Sequence, residues 1–387
     1  MFELFFRMKE KDGEEHKMSF HPRNYITGEY VVGTTCFSVV DEKRKEQLGG
    51  GSGSRKIAIR MYYPAEKECI KGKEKAGIFS EKKEKAVRKA FHVKTVGADM
   101  NVADYYENVP FSPNEKFPLI LFSHGYNSYV EANTFLCCDL ASHGYIVASI
   151  GHAYEAVEND YDDGSFDLYD KKINKMMYTS MLGALFAQNK LVKKQMSLEE
   201  ALDQFDIFQN KYTPYIKDRV TEWAKDMRFG LEKVKLRFGN VIDLEKGVGV
   251  TGHSLGGCVA YYLCRYFDEF TCGINIDGGL FGDYRDTVME KPFFQISCKD
   301  NINVETRALL NTIAPTYHVI FDHMKHLGFT DAKFYISMKA LVGKMNPDDM
   351  YDNLSYCHNT FFDKYLRGLE KEPVGLGTDG ISYIKVR

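Results

Sequence analysis

The sequence predicts an α/β fold in which helices cover both faces of a mostly parallel sheet. Five short apolar runs recur with helix-like stretches between them: PLILFSHG (118–125), YIVASIGH (145–152), GVGVTGHS (247–254), CGINIDGG (272–279) and FFQIS (293–297). Strands that alternate with helices in this way form parallel sheets, because each helix is the crossover between two strands. Hydrophobic residues at 44% and charged residues at 27% exclude a disordered or fibrous chain.

The N-terminal part of the chain is predicted to contain a β-hairpin. Two strand-like stretches, Tyr30 to Val40 and Lys56 to Tyr63, are separated by the low-complexity run GGGSGS at 49–54. Glycine and serine make that run a flexible loop, and an engineered loop replacement would have the same composition. Residues 65–95 are rich in Lys and Glu, which predicts a surface helix or a solvated connector. Residues 1–27 are expected to be an extension whose apolar side chains cover the sheet or form a homodimer contact.

The alternation of strands and helices breaks between residues 155 and 246. This stretch is too long for one crossover, so we expect 155–215 to be a helical insertion, or lid, and the rest to be the helix before the next strand. Residues 28–387 then form one domain. One helical face of the insertion is apolar and is expected either to line an acyl pocket or to pack on the sheet edge. Its residues are Met176, Met177, Tyr178, Met181, Leu182, Leu185 and Phe186, of which Met177, Met181 and Phe186 are candidate substrate contacts.

Charge and cysteine usage exclude several classes of function. The 51 basic and 54 acidic side chains give a net charge of −3, which supplies no electrostatic reason to bind nucleic acid or an anionic membrane. No apolar run reaches the roughly 20 residues that cross a bilayer, and the start lacks a secretory signal pattern. Nine cysteines without a zinc-type CxxC pair predict reduced thiols in the cytoplasm and no metal site.

One local pattern predicts chemistry. The sequence GHSLGG at 252–257 has the form G-x-S-x-G, follows the apolar run Val248 to Val250 and precedes the helix-like CVAYYLCRYF. Strand, tight turn and helix in this order are the context of a nucleophile elbow, in which small residues let the strand and the helix approach each other. Ser254 is therefore the candidate nucleophile.

A serine nucleophile needs a base and an orienting carboxylate, which follow it along the chain in the order acid, then histidine. His323 and His326 share a loop after a predicted strand, and their spacing does not decide between them. His318 lies within that strand and His358 in the C-terminal helical region, where packing roles are expected.

Two carboxylates compete for the role of the acid. Asp277 follows the strand Ile274 to Ile276, at the carboxyl edge of the sheet where catalytic groups collect. Asp300 ends the next strand and is the competing candidate, with a solvated loop carboxylate as its alternative role. Asp283 and Asp286 fit helix caps or surface charges better.

An acyl-transfer site also needs donors for the tetrahedral oxyanion. Two backbone amides normally serve, and here they would belong to Leu255, after the nucleophile, and to Tyr126, in the loop after an early strand. Gly125 permits a sharp turn that aims the Tyr126 amide inward. His124 is expected to brace this loop by hydrogen bonding, and both His124 and Gly125 are candidate substrate contacts.

The sequence resembles the plasma-type (isoform II) platelet-activating factor acetylhydrolases and their bacterial relatives among the α/β-hydrolases. The resemblance rests on segments in the same order: GEYVVGTTCFSV (28–39), RMYYPA (60–65), LILFSHGYNS (119–128), DLASHGYIVASIGH (139–152), VTGHSLGG (250–257), CGINIDGGLF (272–281) and HLGFTD (326–331). It implies Ser254 as the nucleophile, Asp277 as the acid and Tyr126 and Leu255 as the oxyanion donors. It also implies His326 as the base, because the H-x-x-F-x-D pattern of the family begins there.

These residues predict a serine hydrolase of carboxylic esters that needs no metal or cofactor. The resemblance implies short acyl groups on lipid or small-molecule alcohols. The chain departs from the family in the 155–215 insertion, in the absence of a secretion signal and in Tyr126, where the animal enzymes have an aliphatic residue. These departures leave the substrate open. The alternatives are an acyltransferase, a lipase or a thioesterase with the same groups, a peptidase, and a catalytically silent binding protein.

Overall fold

The structure is a computed structural model, which describes residues 25–91, 103–113, 115–177, 179, 184, 187, 196–301, 306, 310–336, 338–373 and 375–386. The strands in these ranges are β1 (Val31–Lys45), β2 (Ser54–Ala65), β3 (Tyr105–Glu107), β4 (Phe117–Ser123), β5 (Ile146–Ile150), β6 (Glu158–Asp160), β7 (Phe166–Leu168), β8 (Ile242–His253), β9 (Phe270–Ile276), β10 (Phe293–Cys298), β11 (Thr316–Phe321) and β12 (Ile381–Lys385).

Ten of these strands form one sheet in the order β12-β11-β10-β9-β8-β4-β5-β2-β1-β3. The six neighbours from β11 to β5 are parallel, whereas β2 pairs antiparallel with β5, β1 with β2, and β12 with β11. The five apolar runs of the sequence form β4, β5, β8, β9 and β10, so the predicted parallel sheet is confirmed. All residues of β4, β5 and β10 are buried, as expected for strands covered on both faces.

Helices pack on both faces of the sheet. They are α1 (Glu81–Phe91), α2 (Thr134–Ser142), α3 (Leu198–Tyr212), α4 (Pro214–Phe238), α5 (Leu255–Tyr266) and α6 (Pro347–Leu366). Shorter turns occupy Lys67–Ile70, Lys299–Asn301, His326–Phe329, Ala332–Tyr335 and Lys339–Val342. The buried cluster on one face includes Leu136 of α2 and Phe361 of α6, and that on the other includes Trp223 of α4 and Val259 of α5. No helix in the described ranges has both the length and the apolar character needed to cross a membrane.

The predicted N-terminal hairpin is formed by β1 and β2, which pair from Val31 opposite Ala65 to Asp41 opposite Arg55. Its loop contains the first residues of the GGGSGS run, and Gly49 has a positive φ of 61°. A Cβ atom at Gly49 would lie 2.0 Å from the ring of Tyr154, so no larger residue fits there without displacing that ring. The Gly49 amide also donates a hydrogen bond to Asp170 (3.0 Å). The fold therefore gives the first glycine of this run a structural role.

The segment predicted as a helical insertion, 155–215, does not begin with a helix. Strands β6 and β7 form a separate two-stranded hairpin, which turns at Gly164 with φ 79°. The hairpin forms in place of the predicted helix because the DDGS sequence at 162–165 favours a turn over a helix. Helical structure follows at residues 171–177 and in α3. Met181 and Phe186 lie outside the described residues, as do most of the extension 1–27 and its expected dimer contact.

Buried histidines should make the fold sensitive to acid. Burial lowers the pKa of His358 to about 4 and that of His318 to about 4. An imidazole of the unfolded chain titrates near 6.5, so below this pH the unfolded chain binds more protons than the folded one. We expect the free energy of unfolding to fall as the pH decreases from 6.5 towards 4, by up to about 3 kcal/mol for one such histidine.

Urea unfolding at pH 7 and at pH 5 measures this dependence. The His358→Gln variant keeps a hydrogen-bonding side chain but cannot titrate, so its stability should change less between the two pH values. An unchanged pH dependence in this variant would contradict the role of His358.

Candidate active site

Ser254 occupies a sharp turn between strand β8, which ends at His253, and helix α5, which begins at Leu255. Its backbone has φ 58° and ψ −120°, a conformation that costs energy for any residue with a side chain. Two hydrogen bonds hold the turn: the Ser254 amide donates to the carbonyl of Ile276 (2.8 Å), and the Cys258 amide donates to the carbonyl of Ser254 (3.1 Å). The geometry exposes the hydroxyl at the carboxyl edge of the sheet, as the G-x-S-x-G pattern predicts.

Two glycines of this pattern are required by close packing. A Cβ atom at Gly252 would lie 2.5 Å from the backbone of Gly256, and one at Gly256 would lie 2.1 Å from the carbonyl oxygen of Ser123. Real Cβ atoms do not approach other atoms so closely, so an alanine at either position would push α5 away from β8 or β4. The glycines thus fix the position of Ser254 relative to the end of β4.

His326 lies in the loop after β11, at the start of the turn His326–Phe329. Its Nε2 is 2.8 Å from Ser254 Oγ, and its Nδ1 is 2.7 Å from Asp277 Oδ2. His253, the residue before the serine, donates from Nε2 to the carbonyl oxygen of His326 (2.9 Å) and packs its ring beside that of His326. The backbone of His326 is therefore tied to the same turn that holds Ser254.

Asp277 is buried directly after β9 and has a positive φ of 57°. Its carboxylate accepts hydrogen bonds from the Cys298 amide (2.7 Å) and from Asn301 Nδ2 (2.7 Å), besides the contact with His326. Burial raises the pKa of the Cys298 thiol, which stays protonated and lies 3.3 Å from Asp277 Oδ2. These donors satisfy a negative charge that burial would otherwise destabilise.

The chemistry of the Ser254, His326 and Asp277 side chains determines which atoms carry the protons. A carboxylate only accepts hydrogen bonds, so His326 carries a proton on Nδ1 and leaves the lone pair of Nε2 to accept the hydroxyl proton of Ser254. The arrangement can raise the nucleophilicity of Ser254 without a metal ion. Among the described residues, no group of three or more His, Cys, Asp and Glu side chains is placed to hold one.

The competing candidates lie elsewhere. The ring of His323 lies beside Gly380, and His318 contacts Ser297 (3.1 Å) while His358 contacts Thr251 (3.1 Å). Asp300 forms an exposed ion pair with Lys325, and Asp283 one with Lys217. The structure brings His326 and Asp277, and none of these candidates, to Ser254.

Asn301 and His253 contact the site, but the sequence reasoning did not single them out. Asn301 lies in the short turn after β10, which pairs with β9. Catalytic groups collect at the carboxyl ends of such strands, and the same argument that predicts Asp277 also predicts a residue at this position. His253 is the variable residue of G-x-S-x-G, and nothing in the pattern indicates its bond to the His326 carbonyl. Burial lowers the pKa of His253 well below its usual value, so the ring is neutral.

The loop after β4 lies against the serine. A Cβ atom at Gly125 would be 3.1 Å from the Cβ atom of Ser254, so only a residue without a side chain fits easily. The Ser128 amide donates to the Gly125 carbonyl (3.1 Å), and this turn places Tyr126 between them. On the other side of the serine, Leu255 is the first residue of α5, whose first-turn amides have no acceptor within the helix. The two predicted oxyanion donors thus belong to segments that flank Ser254.

His124 lies behind this loop. Its ring is fully buried, its Nδ1 is 2.7 Å from the carbonyl oxygen of Gly125, and burial lowers its pKa to about 3. Solvent does not reach the ring, so its position corresponds to the expected brace and not to the predicted substrate contact. Met177 is also buried, in the same apolar cluster as Leu255, with Tyr126 packed against that cluster.

Known proteins resemble this chain in sequence and in structure. The family described as platelet-activating factor acetylhydrolase, isoform II, matches residues 18–320. The platelet-activating factor acetylhydrolase of Cavia porcellus is 24% identical over 287 residues, which cover 68% of this chain and 61% of that protein. The enzyme of the same name from Canis lupus familiaris is 29% identical over 175 residues, covering 44% of this chain and 37% of that protein. The chain thus spans about three fifths or less of the length of these relatives.

A solved structure shares the fold over nearly the whole chain. A ferulic acid esterase from Streptomyces cinnamoneus superposes with a TM-score of 0.72, covering 93% of this chain and 98% of that one. The two sequences are 19% identical, so the likeness concerns the fold alone. The α/β-hydrolase fold predicted from the sequence is confirmed.

Proposed function

The chain belongs to the platelet-activating factor acetylhydrolase isoform II family, and on this premise we propose that it hydrolyses carboxylic esters with Ser254 as the nucleophile. The observation that carries the proposal is the continuous chain of contacts from Ser254 Oγ through His326 to Asp277, with distances of 2.8 and 2.7 Å. A nucleophile, a base and an orienting acid at hydrogen-bond distance are what acyl transfer requires.

In the proposed reaction, His326 Nε2 accepts the hydroxyl proton while Ser254 Oγ attacks the carbonyl carbon of the ester. The amides of Leu255 and Tyr126 donate to the oxyanion that forms. The alcohol leaves with the proton from His326, and the acyl group remains on Ser254. His326 then takes a proton from water as the water attacks the acyl-enzyme, and it returns that proton to Ser254 Oγ as the acid leaves. Asp277 holds the imidazole in the required tautomer and stabilises its charged form.

Short acyl esters of lipid or small-molecule alcohols are the proposed substrates. The relatives from Cavia porcellus and Canis lupus familiaris are named acetylhydrolases, which supports a two-carbon acyl group. Met177 of the predicted insertion belongs to the same buried apolar cluster as Leu255, the residue after the serine, and Phe205 of α3, which supports apolar surroundings for the acyl group. A cytoplasmic location is also proposed, and the nine free cysteines, seven of them buried, support it.

Hydrolysis of p-nitrophenyl acetate, butyrate, octanoate and palmitate tests the acyl preference. We expect kcat/KM to fall steeply with chain length, because a site for two-carbon acyl groups does not accommodate a long acyl chain. Octanoate or palmitate hydrolysed as fast as acetate would contradict the short-acyl assignment and favour a lipase or thioesterase.

The two histidines of the loop after β11 provide a matched comparison. His326→Gln should lower kcat for p-nitrophenyl acetate by about 10⁴-fold or more, because glutamine cannot accept and return the serine proton. His323→Gln changes the same residue type three positions earlier and should leave kcat within about twofold of wild type, since the ring of His323 lies beside Gly380. Equal losses in both variants would show that the loop as a whole, and not His326, is required.

A further inference from the structure

A second set of serine, histidine and aspartate side chains lies buried behind the loop that carries Tyr126. His152, two residues after β5, is 2.9 Å from Ser123 Oγ through Nε2 and 2.9 Å from Asp226 Oδ2 through Nδ1. All three side chains are fully buried, so none of them can meet a substrate. The arrangement resembles the one around Ser254 in its chemistry but not in its access to solvent.

The charges around His152 fix the direction of its hydrogen bonds. Burial would raise the pKa of Asp226, but the Arg55 guanidinium, 2.7 Å away, and His152 hold it well below its usual range. Burial lowers the pKa of His152, so the ring is neutral. Nδ1–H therefore donates to the Asp226 carboxylate, and Nε2 accepts a hydrogen bond from the Ser123 hydroxyl.

Other buried groups prevent the His152 ring from turning. The indole of Trp223 stacks on it with a centroid distance of 3.7 Å and an angle of 8° between the planes. Trp223 Nε1 donates to Glu155 (2.8 Å), which also binds Arg219 (2.7 Å). Arg55 additionally donates to the carbonyl of Ala153 (3.0 Å), next to the histidine. Residues of strand β2, helix α4 and the loop after β5 thus all pack around the His152 ring.

This buried cluster is connected to both ends of the loop 124–128. Ser123, the partner of His152, is the last residue of β4 and directly precedes the loop. At the other end, the Asn127 amide donates to the carbonyl of Glu155 (2.8 Å), and the Val157 amide donates to the carbonyl of Ser128 (2.7 Å). Tyr126 lies between these two attachments. A shift of His152 would therefore be transmitted to the segment that carries the proposed oxyanion donor.

We propose that His152 is a positioning residue, which places the Tyr126 amide by accepting a hydrogen bond from the Ser123 hydroxyl while Asp226 holds its ring. This inference rests on the proposed ester hydrolysis and extends it to residues that touch no reacting atom. Because the oxyanion exists only in the transition state, loss of the positioning lowers kcat and leaves KM nearly unchanged. A residue that only stabilised the fold would instead lower the amount of active protein.

Two substitutions of His152 separate its two hydrogen bonds. The amide of asparagine lies where Nδ1 was, so His152→Asn keeps the contact with Asp226 and loses Ser123. The longer glutamine reaches the position of Nε2, so His152→Gln keeps an acceptor for Ser123. We expect His152→Asn to lose about 10²-fold in kcat for p-nitrophenyl acetate with KM within about twofold, the size of effect that a misplacement of about 1 Å produces. His152→Gln should retain kcat within about fivefold of wild type.

Ser123→Ala breaks the same hydrogen bond to His152 from the other side and removes only one hydroxyl group. It tests the proposal even if His152→Asn does not fold. It should lose as much kcat as His152→Asn, and the double variant should lose little more, because both changes break one bond. His358→Gln is the matched control, since His358 is equally buried and contacts a strand hydroxyl, that of Thr251 (3.1 Å), away from the loop. Its kcat should equal that of wild type.

The outcomes distinguish this inference from the proposed function. If wild-type turnover depends on Ser254 but folded His152→Asn and Ser123→Ala keep kcat within about threefold, the positioning role is overturned and ester hydrolysis stands. The role is also overturned if His358→Gln loses as much kcat, or if His152→Gln loses as much as His152→Asn. Absence of Ser254-dependent turnover in wild type overturns both proposals.

Discussion

Ser254→Ala is expected to lower kcat for p-nitrophenyl acetate by about 10⁶-fold, the largest effect of any single substitution in this chain. The variant lacks the oxygen that would form the acyl-enzyme in the proposed reaction, while the proposed oxyanion donors remain. It should fold as well as wild type, because the side chain of residue 254 faces the carboxyl edge of the sheet and the substitution removes no contact from the core. Labelling by a fluorophosphonate, which reacts with an activated serine, should disappear in the same variant.

Ser297→Ala is the control for this experiment. Ser297 is a buried serine that also contacts a histidine, His318 (3.1 Å), but it lies within β10. The control should keep both turnover and labelling. Full activity of Ser254→Ala, or equal losses in the two variants, would contradict the assignment of Ser254 as the nucleophile.

Asp277→Asn is expected to lower kcat by about 10⁴-fold. The asparagine has nearly the same size, but its amide nitrogen can donate to His326 Nδ1 and so favour the tautomer that cannot accept the serine proton. It also removes the negative charge that stabilises the imidazolium in the transition state. The measurement is kcat at pH 8, together with a thermal unfolding scan of both proteins.

Asp300→Asn tests the competing acid in the same way. Asp300 follows the neighbouring strand and its exposed carboxylate pairs with Lys325, so we expect kcat within about twofold of wild type. A loss in Asp300→Asn that equals the loss in Asp277→Asn would show that the charge at this sheet edge matters and the contact with His326 does not.

Much of the fold could be predicted from the sequence because its signals are local. Strands β4, β5, β8, β9 and β10 are continuous apolar runs, and the position of Ser254 follows from six consecutive residues, GHSLGG. The choice between His323 and His326 was different, because both belong to one loop and either could approach the serine. Only the family pattern separates them in the sequence, and in the structure His326 Nε2 lies 2.8 Å from Ser254 Oγ.

The remaining features depend on residues that are distant in sequence. His152 and Asp226 are 74 positions apart, so no window of the sequence brings them together. Strand β12 pairs antiparallel with β11 and so forms one edge of the sheet, and nothing in its sequence pattern indicates this partner. The sequence does not predict the hairpin of β6 and β7, because the residues that follow it have a strong helical pattern. In each case tertiary contacts, rather than local propensity, determine the structure.

The backbone conformation at Ser254 and at Asp277 affects which substitutions evolution tolerates there. Both residues adopt a positive φ, 58° and 57°, which glycine adopts without strain. A glycine at either position would therefore relax the backbone while destroying the chemistry. At Asp277 it would also leave the Cys298 amide and Asn301 without their buried acceptor, so only the change at Ser254 should leave stability intact. Selection for stability alone would not preserve the Ser254 side chain. In a lineage that no longer needed the activity, we would expect Ser254 to be replaced before Asp277, leaving a folded but inactive descendant.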